Sequence, residues 1–151
     1  MIEDTYIPIG DISLQAEKES AKKLILKKDK DAKLSLTMVV GELEFLAIAK
    51  EKKLIQTPRP LTHEMYLRIL SETDIRFLRV EIYDQKEQVY FARVIYLQGS
   101  MENAADARPS DALALAIHHN LPVIVHSKLF RKEPTPIDIE RYQDLIKTVK
   151  F

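Results

Sequence analysis

The sequence predicts an α+β fold, a mixed β-sheet with interspersed helices. Three observations point there. Apolar periodicity alternates between two and 3.6 residues along the chain, giving the order β β β α α β β (β) α β α. Two long strand patterns, 76–83 and 88–97, are joined by a polar turn, an antiparallel hairpin that a doubly wound parallel sheet lacks. The opening Arg-Pro, followed within two positions by a hydroxyl residue and a polar side chain, occurs at Arg59 and again at Arg108. Each copy precedes a helical pattern and then a strand pattern, which suggests duplicated strand–helix–strand half-units.

Each element has a local cause. Residues 12–16 and 23–27 are short strand patterns. Residues 34–40 alternate large apolar with smaller side chains, and Gly41 ends the run. Residues 42–53 form a helical stripe through Leu43, Leu46 and Ala47, with Glu42 and Glu44 at its positive end and Lys50, Lys52 and Lys53 at its negative end. Pro58 and Pro60 keep Thr57 and Arg59 extended. Thr62 is placed as the N-cap of a second helix to about Glu72. The polar turn of the hairpin is placed at 84–87, and 103–107 is a short extended piece. Ser110 is placed as the cap of a third helix, 111–119, whose small residues allow close packing on a sheet. Asn120 suits a left-handed C-cap, and Pro122 prevents continuation. Residues 122–125 are a buried strand. Pro134 and Pro136 mark a linker before an amphipathic helix, 137–149.

The length suits one domain, 1–133, with 134–151 as a linker and helix packed on that domain or on a partner subunit. The absence of cysteine excludes disulfides, thiolate metal sites and thiol nucleophiles, and fits a reducing compartment. The acidic N-terminus has no apolar segment of the signal-peptide type, so a cytoplasmic location is expected, and no apolar run is long enough to span a membrane. Twenty-three basic residues balance 23 acidic ones, which argues against a non-specific DNA coater but not against an enzyme gripping a few phosphates. Six lysines between Lys22 and Lys33 fit a solvated hairpin with a protected edge. Dinucleotide, P-loop, zincin and nucleophile-elbow motifs are absent.

Two clusters can carry chemistry. His63 and Glu64 lie in the first turn of the second helix, where His63 can act as a general base and Glu64 can accept a proton or hold a metal. The plainer alternative is a solvated histidine and a dipole-complementing glutamate. Asp106, Arg108, Ser110 and Asp111 surround the second Arg-Pro. Arg108 offers a fork for phosphate, and Asp106 and Asp111 can share a metal ion across the turn. Alternatively Ser110 and Asp111 serve the helix start and Arg108 pairs with Asp106. His118 and His119 suit a negative helix end. The strand aromatics Phe77, Tyr83, Tyr90, Phe91 and Tyr96 fit core or interface packing better than base stacking.

The segments Thr57-Pro58-Arg59-Pro60-Leu61-Thr62-His63-Glu64, Val89-Tyr90-Phe91-Ala92 and the run from Asp106 to Ala116 resemble the bifunctional nuclease (BFN) domain, with Val40-Gly41-Glu42-Leu43-Glu44 in the matching place upstream. The resemblance covers about 34–130. The sequence differs from that family's pattern in lacking a glycine before Val89, in having Glu64 where aspartate is commoner, and in having His118 at an often basic position. The resemblance implies an α+β, often oligomeric domain, in a family named for members that cleave RNA and DNA. If the chain is a nuclease, the residues themselves lead to an expectation of metal-assisted phosphodiester hydrolysis. Glu64, Asp106 and Asp111 would hold Mg or Mn, His63 would relay a proton, and Arg59, Arg108 and Ser110 would bind substrate. The competing reading is a non-enzymatic oligomeric module that binds an anion or a protein. Apolar groups on both faces of the hairpin suggest a homodimer.

Overall fold

The computed structural model describes residues 5–16 and 21–132. The linker and the helix expected over 137–149 lie outside the described residues. The elements are β1 (Tyr6–Pro8), β2 (Asp11–Gln15), β3 (Lys22–Lys27), β4 (Leu34–Val40), α1 (Glu42–Glu51), α2 (Thr62–Leu70), β5 (Ile75–Lys86), β6 (Val89–Gln98), β7 (Met101–Ala107), α3 (Pro109–His119), β8 (Val123–His126) and β9 (Arg131–Lys132). The fold is α+β, as the alternating periodicities imply.

A five-stranded sheet runs in the order β1-β8-β5-β6-β7, and a four-stranded sheet in the order β2-β3-β4-β9. β5 and β6 form the expected antiparallel hairpin, with irregularities near Leu78 and Tyr83. β8 lies parallel to β5. Each Arg-Pro segment therefore leads into a helix and then into one of two adjacent parallel strands. The repetition stops at packing: α3 buries Ser110, Ala112, Leu113, Ala114 and Ala116, whereas α2 buries only Leu67.

Several boundaries differ from expectation. Leu61, not Thr62, occupies the N-cap of α2. Leucine has no acceptor to offer the first turn. The compensating bond runs the other way, from the Leu61 N–H to Glu64 Oε1 at 2.8 Å. Arg108, not Ser110, is the N-cap of α3, because Pro109 takes the first helical position, where its missing N–H costs nothing. The hairpin turn falls at Glu87-Gln88 rather than 84–87. Both residues have positive φ, 50° and 69°, and the strands continue to Lys86 and Val89. The extended piece at 103–107 is a full strand, 101–107, paired along β6. Asn120 is the left-handed C-cap at φ 53° and ψ 49°.

One core joins both sheets. Leu24, Leu26, Leu36 and Met38 of the smaller sheet cluster with Ile48 of α1, with Leu113 and Ala116 of α3, and with Val80, Ile82, Val94 and Val125 of the larger sheet. Burial of these apolar side chains is the main stabilising term. α1 and α3 lie side by side and run in the same direction: Glu44 meets Arg108 at their starts, and Glu51 meets His118 at their ends. No helix among the described residues is long and apolar enough to cross a membrane.

Candidate functional site

Three helix ends converge on one carboxylate. Glu51 is the last residue of α1, and its side chain is only 9% exposed. His63, in the first turn of α2, places Nε2 2.7 Å from Glu51 Oε1. His118, in the last turn of α3, places Nδ1 3.0 and 3.1 Å from the two carboxylate oxygens. A carboxylate at a helix C-terminus opposes the local dipole, and burial adds to the cost. Two imidazole donors offset both penalties. An ionised carboxylate only accepts, so the two ring nitrogens that face it carry hydrogens. The outward nitrogens, His63 Nδ1 and His118 Nε2, are then the ones left to exchange protons. This is the orienting arrangement that prepares a histidine for proton transfer, here doubled on a single acid.

Neighbouring groups fix the site. Lys50 donates to Glu64 Oε1 at 2.5 Å and to Thr57 Oγ1. Thr57 Oγ1 in turn donates to the Arg59 carbonyl at 2.7 Å, which ties the Arg-Pro loop to the end of α1. Burial pushes the Glu64 carboxyl up, but the Leu61 amide and Lys50 outweigh it and hold the group below its ordinary range. Arg59 is exposed. The His118 and His119 rings meet edge to face at 4.9 Å, and His119 lies 5.2 Å from Phe77.

The second expected cluster divides. Arg108 donates Nε and Nη2 to Asp111 and Nη1 to Glu44 at 2.9 Å, clasping the starts of α1 and α3. Glu44 is held below its ordinary range, first by its own backbone N–H and then, against burial, by Arg108. Its carboxylate fills the space that a Cβ on Gly41 would need. This clasp lies at the opposite end of α1 from Glu51, about 10 Å away along the helix at 1.5 Å per residue. Ser110 is buried in the first turn of α3. Asp106 pairs in register with Arg93, while its neighbour Ala107 pairs with Ala92, which faces α3 in the core. Successive strand residues point to opposite faces, so Asp106 lies across the sheet from Asp111.

Glu64, Asp106 and Asp111 therefore do not form a joint donor set for Mg or Mn. Glu64 is committed to Lys50 and Leu61, Asp111 is committed to Arg108, and Asp106 faces the other way. Among the described residues no group of three or more His, Asp or Glu is arranged to hold a metal ion. The structure brings together His63 and Glu64 at the start of α2, ties the Arg59 backbone to the end of α1 through Thr57 and Lys50, and adds Glu51 and His118. Nothing in the sequence marks Glu51, because a glutamate in a lysine-rich helix end resembles a solvated face. For His118 the sequence shows only a place at a negative helix terminus.

On the outer face of the larger sheet, Glu81 is buried and accepts from Arg79 Nε at 2.8 Å and Arg93 Nε at 2.6 Å. Arg93 also lies over the Tyr83 ring at 4.5 Å.

A family model described as the bifunctional nuclease domain matches residues 24–138. Two curated relatives, both described as uncharacterized proteins of Mycobacterium tuberculosis, from strains CDC 1551 and H37Rv, are each 26% identical over 114 residues. The match covers 76% of this chain and 68% of each relative.

Proposed function

The chain belongs to the bifunctional nuclease domain family, and from that premise we propose that it hydrolyses phosphodiester bonds of RNA or DNA by acid–base catalysis at His63, Glu51 and His118. The observation that carries the proposal is the single half-buried carboxylate holding both imidazoles. Phosphodiester hydrolysis needs a base for the attacking water and an acid for the departing alkoxide. His63 opens its own helix, where the positive dipole end suits a proton acceptor. His118 closes its helix, where the negative end suits a proton donor. In this scheme His63 in its neutral form takes the proton from water at Nδ1, His118 in its imidazolium form gives its Nε2 proton to the leaving oxygen, and Glu51 orients both rings through their inward N–H groups. The exposed Arg59 guanidinium binds the phosphate and offsets its developing charge.

No step is assigned to a metal, because the three expected ligands do not converge. Purified protein is expected to cleave labelled single-stranded RNA or DNA in the presence of EDTA. His63→Ala and His118→Ala are each expected to cut the rate by about 10²–10⁴-fold. Glu51→Gln, which offers an amide where a pure acceptor is needed, is expected to cost roughly 10²-fold or more. All three should keep a cooperative melting transition. Loss of wild-type cleavage in EDTA, or full activity in both histidine variants, refutes this mechanism.

The alternative is a non-enzymatic protein-binding module. It is favoured by one observation, the apolar α2 face of Met65, Tyr66 and Ile69, which are 49%, 58% and 57% exposed. A wild-type protein that cuts neither nucleic acid, with or without added Mg or Mn, supports that reading.

A further inference from the structure

A cleft of about 210 Å³ opens beside His118, between the end of α2, the start of β5 and the end of α3. Leu70, Ile75, Phe77 and Leu121 supply its apolar lining, and His119 and Arg76 its polar side. It is smaller than the ~300 Å³ at which pockets for drug-sized ligands begin, a size that suits one planar ring system. Its chemistry is also that of a ring binder. Phe77 and His119 form a tilted pair, 35° between planes, with centroids 5.2 Å apart. His119 also meets the His118 ring edge to face, and His118 holds Glu51. A ligand ring in the cleft would thus lie one side chain from the proton-transfer pair.

We infer that this cleft is a base-binding subsite, in which an unpaired nucleobase flanking the scissile phosphate stacks against Phe77 and His119. The inference rests on the acid–base reading of the neighbouring histidines. Partial burial, and then the proximity of His118, lowers the His119 pKa from its ordinary 6.5, although the residue as a whole stays exposed. A neutral ring stacks on a base without competing for the phosphate. Every base has a π-face, so such a subsite accepts any unstacked nucleotide and rejects paired ones. Arg76, exposed at the rim, gives the attached phosphate a cationic neighbour.

The test is equilibrium binding of adenosine 5′-monophosphate and uridine 5′-monophosphate, with ribose 5-phosphate as the control that keeps the phosphate and removes the base. Titration calorimetry and the ring resonances of His119 report on the cleft. Both nucleotides are expected to bind more tightly than ribose 5-phosphate, and His119→Ala is expected to weaken them about tenfold. His119→Phe, which keeps a ring, should restore most of that loss. Equal binding of nucleotide and ribose 5-phosphate overturns the subsite, as does His119→Ala binding like wild type. Cleavage plays no part in this readout. A protein that binds the nucleotides through His119 yet cuts nothing refutes the proposed reaction and leaves the subsite standing. A protein that cuts, but binds nucleotides no better than ribose 5-phosphate, refutes the subsite alone.

Discussion

Glu81 shows what a single side chain decides in this molecule. Its carboxylate is 8% exposed in the outer face of the larger sheet, between two arginines whose side chains remain 37% and 38% exposed. Burial pushes its carboxyl up, but hydrogen bonds and charge from Arg79 and Arg93 outweigh that and hold it below its ordinary 4.5. A carboxyl with a depressed folded pKa contributes stability above its unfolded value, and that contribution is lost as pH falls through the lower folded value. Glu81→Gln removes the ionised acceptor but leaves two guanidiniums with access to water, so the cost is roughly 1–3 kcal/mol at pH 7. Urea denaturation should show that gap between variant and wild type near neutrality and show it closing below pH 4.5. A gap that stays constant at acid pH would mean that Glu81 acts by packing and not by charge.

Among the elements, the β5–β6 hairpin carries a correctable strain. Its two-residue turn places Glu87 and Gln88 at positive φ. Non-glycine residues adopt that region at a cost, and the mirror-image turns that fit hairpin twist favour Asn-Gly. Replacing Glu87→Asn and Gln88→Gly together should stabilise the protein by about 1 kcal/mol, a rise of about 2–4 °C in Tm for a chain of this size. An unchanged or lower Tm would show that the long strand pairing already absorbs the strain. The turn also shows where local reading fails. Asp84 to Glu87 are polar, and polarity normally marks a turn. Here strand pairing with β6 carries the ladder through Asp84, Gln85 and Lys86, because the hairpin extends beyond the part that is buried. β1 and β9 were equally hidden. Tyr6–Pro8 is three residues long and exists as a strand only by pairing with β8, and Arg131–Lys132 only by pairing with β4.

At the scale of the whole molecule, the larger sheet has one face packed by α3, and on the other Tyr83, Phe91 and Leu97 are half-buried beside the Glu81 cluster and the exposed Asp106. The Asp106 side chain makes no hydrogen bond or ion pair among the described residues. We propose that a second copy covers this face, with Asp106 of each subunit meeting the arginines of the other. Light scattering is expected to give twice the 17.5 kDa chain mass, and Phe91→Arg to return it to that of one chain. A mass of 17.5 kDa across a wide concentration range would end this proposal.

The sequence by itself determined the fold class, the hairpin, the three helices, the left-handed stop at Asn120 and the relation to the nuclease family. These follow from periodicity and turn chemistry, which act over a few residues, and from long specific motifs such as that from Asp106 to Ala116. It also marked His63 and Arg59 as chemically competent. Which acidic group His63 meets was decided only by tertiary structure. The expected partners Asp106 and Asp111 are close in sequence, yet the pleat of β7 and the start of α3 send them to different sides of the sheet. Glu51 and His118 are 67 positions apart and join because α1 and α3 run in the same direction over one sheet, which brings their C-terminal ends together. Local pattern fixes which face a residue occupies. Only the packing of helices fixes which ends come together, and in this protein the candidate chemistry lies where they do.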